Sequence, residues 1–158
     1  MIISGTEHRP TKLGGYGDSA SAKLMLIAST FLSTLPRHEL HVISGMALGW
    51  DQALAKAAIQ LGVPFTAAVP FVGQEGKWPM SSQAEYQSTI ARAAYVQIVC
   101  PGGYSARSMQ VRNEWMVDNS DAVLAMWDGS TGGTYNCVQY ALHRGKQIIN
   151  LWKAEDFT

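Results

Sequence analysis

The sequence predicts an α/β fold in which a mostly parallel sheet of about six strands carries helices on both faces. Short apolar runs alternate with helix-like segments along the whole chain. The runs are nearly continuous instead of alternating polar and apolar residues, which is typical of parallel strands buried on both faces. Several runs lead into glycine-rich loops, and in a doubly wound sheet such loops share the edge where ligands bind.

The length and the charge of the chain indicate the kind of protein and exclude some kinds of partner. The chain has 158 residues, of which 47% are hydrophobic and 15% charged, and its formal net charge is +0. These values indicate one globular domain with a single core. Proteins that hold DNA or RNA by its phosphates usually have a basic surplus, so polymeric nucleic acid is an unlikely partner. The low charge also favours a homodimer or higher homo-oligomer that covers apolar surface.

The sequence contains no signal for a membrane, a disulfide framework or a metal. No apolar run reaches the length of a membrane span, and the N-terminus lacks a basic region followed by a hydrophobic one. We therefore expect a cytoplasmic protein. Two cysteines do not make a disulfide framework, and the four histidines lack the spacing of zinc ligands. We expect no metal and no required cofactor.

Six apolar runs are predicted to be strands. Each is short and is bounded by glycine, proline or polar turn residues. The runs cover residues 1–3, 40–43, 63–69, 95–100, a segment from Ala122, and 147–152. A long polar loop, residues 4–17, follows the first of them, and loops of this length inside a domain are usually functional.

The segments between the strands are predicted to be helices. Apolar residues recur at helical spacing in the first one, which Asp18 or Ser19 caps and Pro36 ends. Glycines at positions 62 and 145 are the helix-ending residues of the second and fifth. The helices cover residues 18–35, 50–61, 81–94, 105–119 and 134–144. The last six residues are predicted to fray. The whole, residues 1–158, is predicted to form a single Rossmann-like domain.

The loop at residues 129–134 predicts an anion site. It follows the fifth strand and opens a helix at Thr134. Glycine lets backbone N–H groups approach a ligand, and the first N–H groups of a helix have no partner within it. A phosphate is the usual occupant, although a plain tight turn is the alternative. The spacing is not the dinucleotide fingerprint and lacks the Walker lysine, so NAD in its usual pose and ATP hydrolysis are disfavoured.

Arg112 is the most informative charged residue. With Met109 and Met116 it falls at helical spacing, which places its guanidinium beside an apolar stripe. A guanidinium there must be paired, because burying it alone is costly. It therefore either forms an internal ion pair, for example with Asp118 or Asp121, or binds a phosphate or sugar at the edge of the sheet.

Other charged residues lie in the loops after the first two strands. His8, Arg9 and Lys12 are expected to contact an anion, unless they form a solvated basic loop. Asp51 is expected to cap its helix. Its alternative role is to accept ribose hydroxyls or to act as a catalytic carboxylate.

Five aromatic residues lie in or beside the predicted loops. We expect one of them to stack on a base, although each is as well explained by packing. They are Trp50, Trp78, Tyr104, Trp127 and Tyr135.

These segments together resemble the SLOG superfamily of Rossmann-like nucleotide-binding proteins, in particular its YpsA-like (DUF1273-type) branch. The resemblance spans nearly the whole chain in the expected order. It rests on Ser4–Pro10, Lys12–Gly15, Ile43–Gln52, Pro70–Trp78, Arg112-Asn113 and Asp128–Thr134. It implies a pocket for a nucleotide or nucleotide-derived ligand at the carboxyl edge of the sheet, and frequent dimerisation.

Two related groups suggest alternative functions. The LOG-type phosphoribohydrolases carry a Gly-Gly-x-Gly-Thr-x-x-Glu motif, which Gly133-Thr134 resembles, and Arg112 resembles their assisting arginine. The position of their catalytic glutamate is Cys137, a poor substitute because cleavage of an N-glycosidic bond needs a carboxylate. The carboxylates that could replace it are Asp51, Glu75 and Glu114. DprA, also in the superfamily, binds single-stranded DNA, a use that the neutral charge disfavours.

The first hypothesis is a binding module that captures a nucleotide-derived molecule for sensing or sequestration. The alternative is a phosphoribohydrolase or deoxyribosyltransferase-like enzyme acting on an N-glycosidic bond, with Asp51, Arg112 and Glu75 as weak catalytic candidates. The predicted ligand-binding residues are Gly5, Thr6, His8, Arg9, Ser44, Gly45, Gly49, Asp51, Gln74, Arg112, Gly129, Ser130, Gly132, Gly133 and Thr134.

Overall fold

The computed structural model describes residues 1–157 and contains one six-stranded sheet. All strand pairs are parallel, and the strand order is β4-β3-β2-β1-β5-β6. The strands are β1 (Ile2–Glu7), β2 (His41–Ser44), β3 (Phe65–Val69), β4 (Tyr95–Ile98), β5 (Ala122–Met126) and β6 (Gln147–Asn150). The predicted fold class is confirmed.

Helices cover both faces of this sheet. The first three pack in one layer, with α2 in contact with α1 and α3, and the last two pack against each other in a second layer. They are α1 (Asp18–Leu32), α2 (Trp50–Leu61), α3 (Met80–Ile90), α4 (Ala106–Asp118) and α5 (Gly133–His143). The main core lies under α1 and α2, where Trp50 and Leu54 are fully buried. None of the helices in residues 1–157 has the length and apolarity needed to cross a bilayer.

The order of the strands creates a crevice beside β1. From β1 the chain moves outward to β4 and then returns to place β5 on the other side of β1. The segments that leave β1 and β5 therefore diverge, and this is the point where doubly wound sheets bind ligands.

The first strand is longer than predicted. It continues to Glu7, which pairs in register with Met126 of β5, so the prediction of a strand over residues 1–3 was wrong at its end. The extra residues are polar but satisfied, because the buried hydroxyl of Ser4 lies 3.0 Å from that of Ser120. Polar side chains inside a strand weaken the apolar pattern that predicts strands.

Two helix ends and the C-terminus also differ from prediction. The first helix ends at Leu32, before Pro36, because the hydroxyls of the next two residues donate to carbonyls of its last turns. The third ends at Ile90 and not near residue 94. The predicted frayed tail is a short 3₁₀ turn whose Phe157 ring stacks on Trp152. Thr158 lies outside the described residues.

The edge strand β4 is exposed instead of buried. Tyr95 is 70% exposed, Val96 51% and Ile98 46%. The prediction that this run is covered on both faces was wrong, because α4 packs on β1 and β3 as it crosses the sheet.

Candidate functional site

A cavity of about 790 Å³ opens at the carboxyl edge of the sheet, above the crevice between β1 and β5. Eleven of the predicted ligand-binding residues line it: Gly5, Thr6, His8, Arg9, Asp51, Gln74, Arg112, Ser130, Gly132, Gly133 and Thr134. The structure places four others outside its lining: Ser44, Gly45, Gly49 and Gly129. Loops far apart in sequence therefore meet at one place.

The start of α5 forms one end of this cavity. Gly132 is the N-cap, with φ +144°, and no side chain caps the helix. The space where a Cβ would lie at Gly132 or Gly133 is open. The Thr134 hydroxyl donates to the carbonyl of Glu7, which fixes the helix against β1. The first amides of α5 are thus held at the cavity without a side-chain acceptor, an arrangement that suits an anion.

The start of α2 is different, because a carboxylate of the protein already occupies it. The backbone amides of Trp50 and Asp51 both donate to Glu7, the latter over 3.0 Å. Gly49 has φ +101°, and a Cβ there would lie 2.8 Å from the Glu7 carboxylate. The helix start that follows the 44–49 turn, where Gly45 and Gly49 are predicted ligand-binding residues, thus holds Glu7, and the glycine at position 49 makes room for it.

The side chain of Ser44 stabilises the 44–49 turn through two hydrogen bonds. Its hydroxyl donates to the carbonyl of Asp51 over 2.7 Å and accepts from the amide of Met46 over 3.1 Å. Both bonds are buried. Ser44 is therefore a structural residue of the turn and not a ligand contact.

Asp51 lies inside the cavity wall and does not cap α2. Its side chain is buried, with 4% exposure, and the amide of Ala47 donates to its carboxylate. The other oxygen, Oδ1, has no hydrogen-bond partner in residues 1–157. Gly5 makes room for it, since a Cβ at Gly5 would lie 3.0 Å from Oδ1. A buried acceptor without a partner is costly, so this oxygen is an unsatisfied polar atom beside the cavity.

Arg112 is buried and held by carbonyl oxygens. Its Nη1 donates to the carbonyl of Gly45 over 2.5 Å, and its Nε to Asn113 over 2.9 Å. The alternative of an ion pair with Asp118 or Asp121 was wrong, since Asp118 pairs with another arginine and Asp121 accepts the first amide of β1. Arg112 lines the cavity beside Asp51 and so places a positive charge in its wall.

Burial shifts the pKa values of Glu7, Asp51 and Arg112. It raises the pKa of Glu7 well above its ordinary value, and the negative charge of Asp51 raises it further. Burial also raises the pKa of Asp51, although the charge of Arg112 acts against this. The pKa of Arg112 is lowered by burial and raised again by Asp51. Because each of these groups affects the pKa of the others, the two carboxylates and the guanidinium form one compact cluster.

Gln74 ties the loop after β3 to this cluster. Its Nε2 donates to the carbonyl of Gly45 over 3.0 Å, and it accepts from the Tyr86 hydroxyl. Burial, and secondly the charge of Glu75, raises the pKa of Tyr86 to about 12. Glu75 itself accepts from Gln87 and does not line the cavity, so the structure gives no support to it as a catalytic candidate.

Contacts between the loop after β1 and the loop after β5 form the rim of the cavity. The Nε2 of His8 lies 2.6 Å from the Asp128 carboxylate, and Lys12 donates to the Ser130 hydroxyl over 2.9 Å. Hydrogen bonds from Ser130, and then the charge of His8, lower the pKa of Asp128. His8 and Lys12 are thus paired within the protein, whereas Arg9 is exposed and also lines the cavity.

The five aromatic residues predicted as candidates for stacking on a base differ in whether they line the cavity. Trp50 is a core residue whose Nε1 donates to the carbonyl of Leu124, so it does not stack on a ligand. Trp127 and Tyr135 pack against each other outside the cavity lining. Trp78 and Tyr104 line the cavity, and Tyr104 is 69% exposed.

Cys137 is a small buried apolar residue. It is 3% exposed, packs in the second core cluster, and does not line the cavity. Burial raises the pKa of its thiol, which lowers its nucleophilicity.

Sequence reasoning missed Glu7 and Asp128. Glu7 lies in the predicted loop at residues 4–17 and Asp128 directly before the loop at residues 129–134, and each contacts a residue far away in the chain. Gly49, a helix-preceding glycine with no capping side chain, was the available signal for Glu7. Among residues 1–157, no three or more His, Cys, Asp or Glu side chains are grouped as metal ligands.

Comparisons with solved structures agree with this fold. DprA from Streptococcus pneumoniae superposes with a TM-score of 0.65 at 16% identity, over 92% of this chain and 48% of that one. DprA from Helicobacter pylori, described for its single-stranded DNA binding mode, superposes with a TM-score of 0.65 at 17% identity, over 94% and 63%. The chain thus spans about half of the first protein and under two thirds of the second.

Sequence comparisons identify the family. YoqJ, an uncharacterized SPbeta prophage-derived protein of Bacillus subtilis (strain 168), is 34% identical over 127 residues, covering 69% of this chain and 74% of YoqJ. The family model YpsA, described as the YspA SLOG family, matches residues 1–150. The chain therefore belongs to the YpsA family of SLOG proteins, as the sequence motifs predicted.

Proposed function

We propose that the protein binds a nucleotide or nucleotide-derived small molecule in the cavity at the carboxyl edge of the sheet, for sensing or sequestration. The observation that carries the proposal is that the uncapped start of α5 and two cationic side chains, Arg9 and Arg112, line one cavity. Free amides at a helix start and guanidinium groups both suit an anion. The phosphate of a nucleotide is such an anion.

The size and the rim of the cavity support the same ligand class. Its volume of about 790 Å³ lies in the range of small-molecule sites, roughly 300–1,000 Å³. Tyr104 stands at its mouth, edge-on to Phe71 with ring centroids 6.0 Å apart. An exposed ring held by a buried one offers a surface on which a base can stack.

A panel of compounds tests the proposal. Nucleoside monophosphates, NAD and cyclic nucleotides are added to the purified protein, and the melting temperature is measured. A ligand at 100 times its Kd stabilises the folded state by about 2.7 kcal/mol, which corresponds to roughly 5–10 °C for a chain of this size. The shift should shrink in Arg9→Ala, which removes an exposed cation that lines the cavity, and persist in Arg37→Ala, which lies on the turn before β2. The absence of a shift with every compound would contradict the proposal.

A second candidate function is cleavage of an N-glycosidic bond. It is favoured by the two carboxylates Glu7 and Asp51, both of which line the cavity and have raised pKa values. In this reaction water adds to C1′ of the sugar and the base leaves with a proton. The same incubations distinguish the two functions: free base that disappears in Asp51→Ala supports the enzyme, whereas a thermal shift without free base supports binding.

A single-stranded oligonucleotide belongs in the same panel. The DprA neighbours share the fold, and one is described for binding single-stranded DNA. The formal net charge of +0 gives no general attraction to a polyanion. We therefore expect the small nucleotides, and not the oligonucleotide, to raise the melting temperature.

We further propose that two copies associate through the exposed edge of β4. This strand pairs only with β3 among the strands of residues 1–157, so its outer main-chain groups are free. Residues 93–106 contain no charged side chain, so a two-fold axis would bring no like charges together. An antiparallel second copy of β4 pairs these groups and covers Val96 and Ile98.

Light scattering after size-exclusion chromatography tests this interface. The wild type should elute with the mass of a dimer, and Val96→Glu with that of a monomer, because it buries a charge in the interface. Leu26→Glu, on the exposed face of α1, is the matched control and should remain dimeric. A monomeric wild type, or a Val96→Glu protein that stays dimeric, contradicts this interface.

A further inference from the structure

One wall of the cavity is a single face of α4. Four residues of this helix line the cavity at positions i, i+3, i+4 and i+7, which is the spacing of one helical face. They are Ala106, Met109, Gln110 and Asn113. The face runs from the exposed Ala106 to the half-buried Asn113, roughly 10 Å along the helix axis. Asn113 therefore lies at the inner end of this wall.

The side-chain amide of Asn113 is held in one orientation by Arg112. The Nε of Arg112 donates to the Oδ1 of Asn113 over 2.9 Å. A guanidinium nitrogen can only donate, so the amide atom that faces it must be the oxygen. The oxygen and the nitrogen of this amide are therefore not interchangeable. The Nδ2 of Asn113 is the end of the side chain that remains for another contact.

This nitrogen has no partner within the protein and is accessible. The Nδ2 of Asn113 makes no hydrogen bond within residues 1–157, and it does not belong to the enclosed polar atoms that lack a partner there. Because Asn113 is half-buried and lines the cavity, the accessible surface of Nδ2 is available to a ligand.

A second donor lies beside it on Arg112. The Nη1 of Arg112 donates to the carbonyls of Gly45 and Ala68, whereas its Nη2 has no partner in the described part of the chain and is not enclosed. The one acceptor of the Asn113 side chain is already used by Nε. These two residues therefore offer donors and no free acceptor. An oxygen without a hydrogen can accept from both of them, whereas an amino group would place its hydrogens against theirs.

We propose that Asn113 determines ligand specificity, because its Nδ2 donates to a ligand oxygen that carries no hydrogen. A carbonyl of the base and an oxygen of the phosphate share this chemistry. The inference rests on the proposed nucleotide binding and adds a specificity residue to it. A ligand that presents an amino group to this part of α4 should bind weakly.

Asn113→Asp tests the inference, since it exchanges Nδ2 for an oxygen of similar size and keeps Oδ1. Arg112 retains its acceptor, now charged, so the melting temperature of the ligand-free variant should equal or exceed that of the wild type. Calorimetry with the nucleoside 5′-monophosphate that binds the wild type best should show a roughly thirtyfold weaker affinity, because two acceptors then face each other. If Asn113 only holds Arg112, the affinity stays at the wild-type value, and this result overturns the inference.

Gln110→Glu controls for the added negative charge. It places the same charge on the same face of α4, and the Gln110 side chain makes no hydrogen bond within residues 1–157. The affinity of this variant should fall by only about threefold, because solvent screens a charge on a half-buried side chain. An equal loss of affinity in Gln110→Glu and Asn113→Asp overturns the inference, since charge alone then explains it.

Two matched pairs of ligands distinguish a base carbonyl from a phosphate oxygen. Inosine and adenosine 5′-monophosphates, like those of uridine and cytidine, differ in a carbonyl against an amino group on the ring. A base carbonyl at Asn113 predicts roughly tenfold tighter binding of the carbonyl compound to the wild type, and loss of this preference in Asn113→Asp. A phosphate oxygen predicts equal affinities within each pair and an equal loss in the variant. An amino compound that binds Asn113→Asp more tightly than it binds the wild type overturns the inference. If no nucleotide binds the wild type, the proposed function itself is contradicted.

Discussion

Replacement of Arg112 by methionine is expected to lower the free energy of unfolding by about 2–4 kcal/mol and to abolish ligand binding. Methionine fills much of the same space but cannot donate to the carbonyl of Gly45, which then keeps only the bond from Gln74. It also removes the positive charge that stabilises the ionised form of Asp51. Urea denaturation of the two proteins measures the difference.

The loss of unfolding free energy in Arg112→Met should depend on pH. Because the pKa of Asp51 in the folded protein lies above its ordinary value of 3.8, stability falls as pH rises through the interval between the two. Loss of Arg112 raises the folded pKa further and widens this interval. The difference between wild type and Arg112→Met should therefore grow as the pH rises above 3.8. A deficit that is independent of pH contradicts the coupling between Arg112 and Asp51.

The second large effect is expected for Gly45→Ala. A Cβ at Gly45 would lie 2.5 Å from Arg112 Nη1 and 2.6 Å from Asp51 Oδ2. Both neighbours are buried and hydrogen-bonded, so neither can move without losing a bond. We expect a loss of about 1–3 kcal/mol in unfolding free energy, as for overpacked cores, together with the loss of the ligand-induced thermal shift.

Gly103→Ala provides the matched control for this substitution. Gly103 lies in the loop before α4, and its added Cβ would meet nothing within 4 Å. Its effect on stability should stay within about 0.5 kcal/mol, and ligand binding should be unchanged. If Gly45→Ala behaves like Gly103→Ala, the buried cluster is less tightly packed than the distances imply.

The local pattern of apolar residues was sufficient to predict most of the fold. The alternation of apolar runs with helical segments predicted all six strands and five helices, and the family motifs fell on the loops that meet at the cavity. The errors arose where polar residues lie inside a strand, as at the end of β1, or where an apolar strand is left uncovered, as at β4. Neither can be read from periodicity, because each depends on which element packs on which.

The chemistry of the site was less predictable for the same reason. A glycine-rich loop before a helix predicts an anion site, and α5 has the expected geometry. The 44–49 turn has the same appearance in sequence, yet Glu7 fills the helix N-terminus that follows it. Trp50 begins that helix and packs into the core. Contacts between residues more than 40 positions apart decide these cases, and a single sequence does not display them.

A structure of the protein with a ribonucleoside 5′-monophosphate at saturating concentration tests most directly that an anion binds where β1 and β5 diverge. The phosphate oxygens should lie about 3 Å from the amides of Gly133 and Thr134. A nucleotide bound elsewhere, or with its phosphate directed toward Glu7, would contradict it.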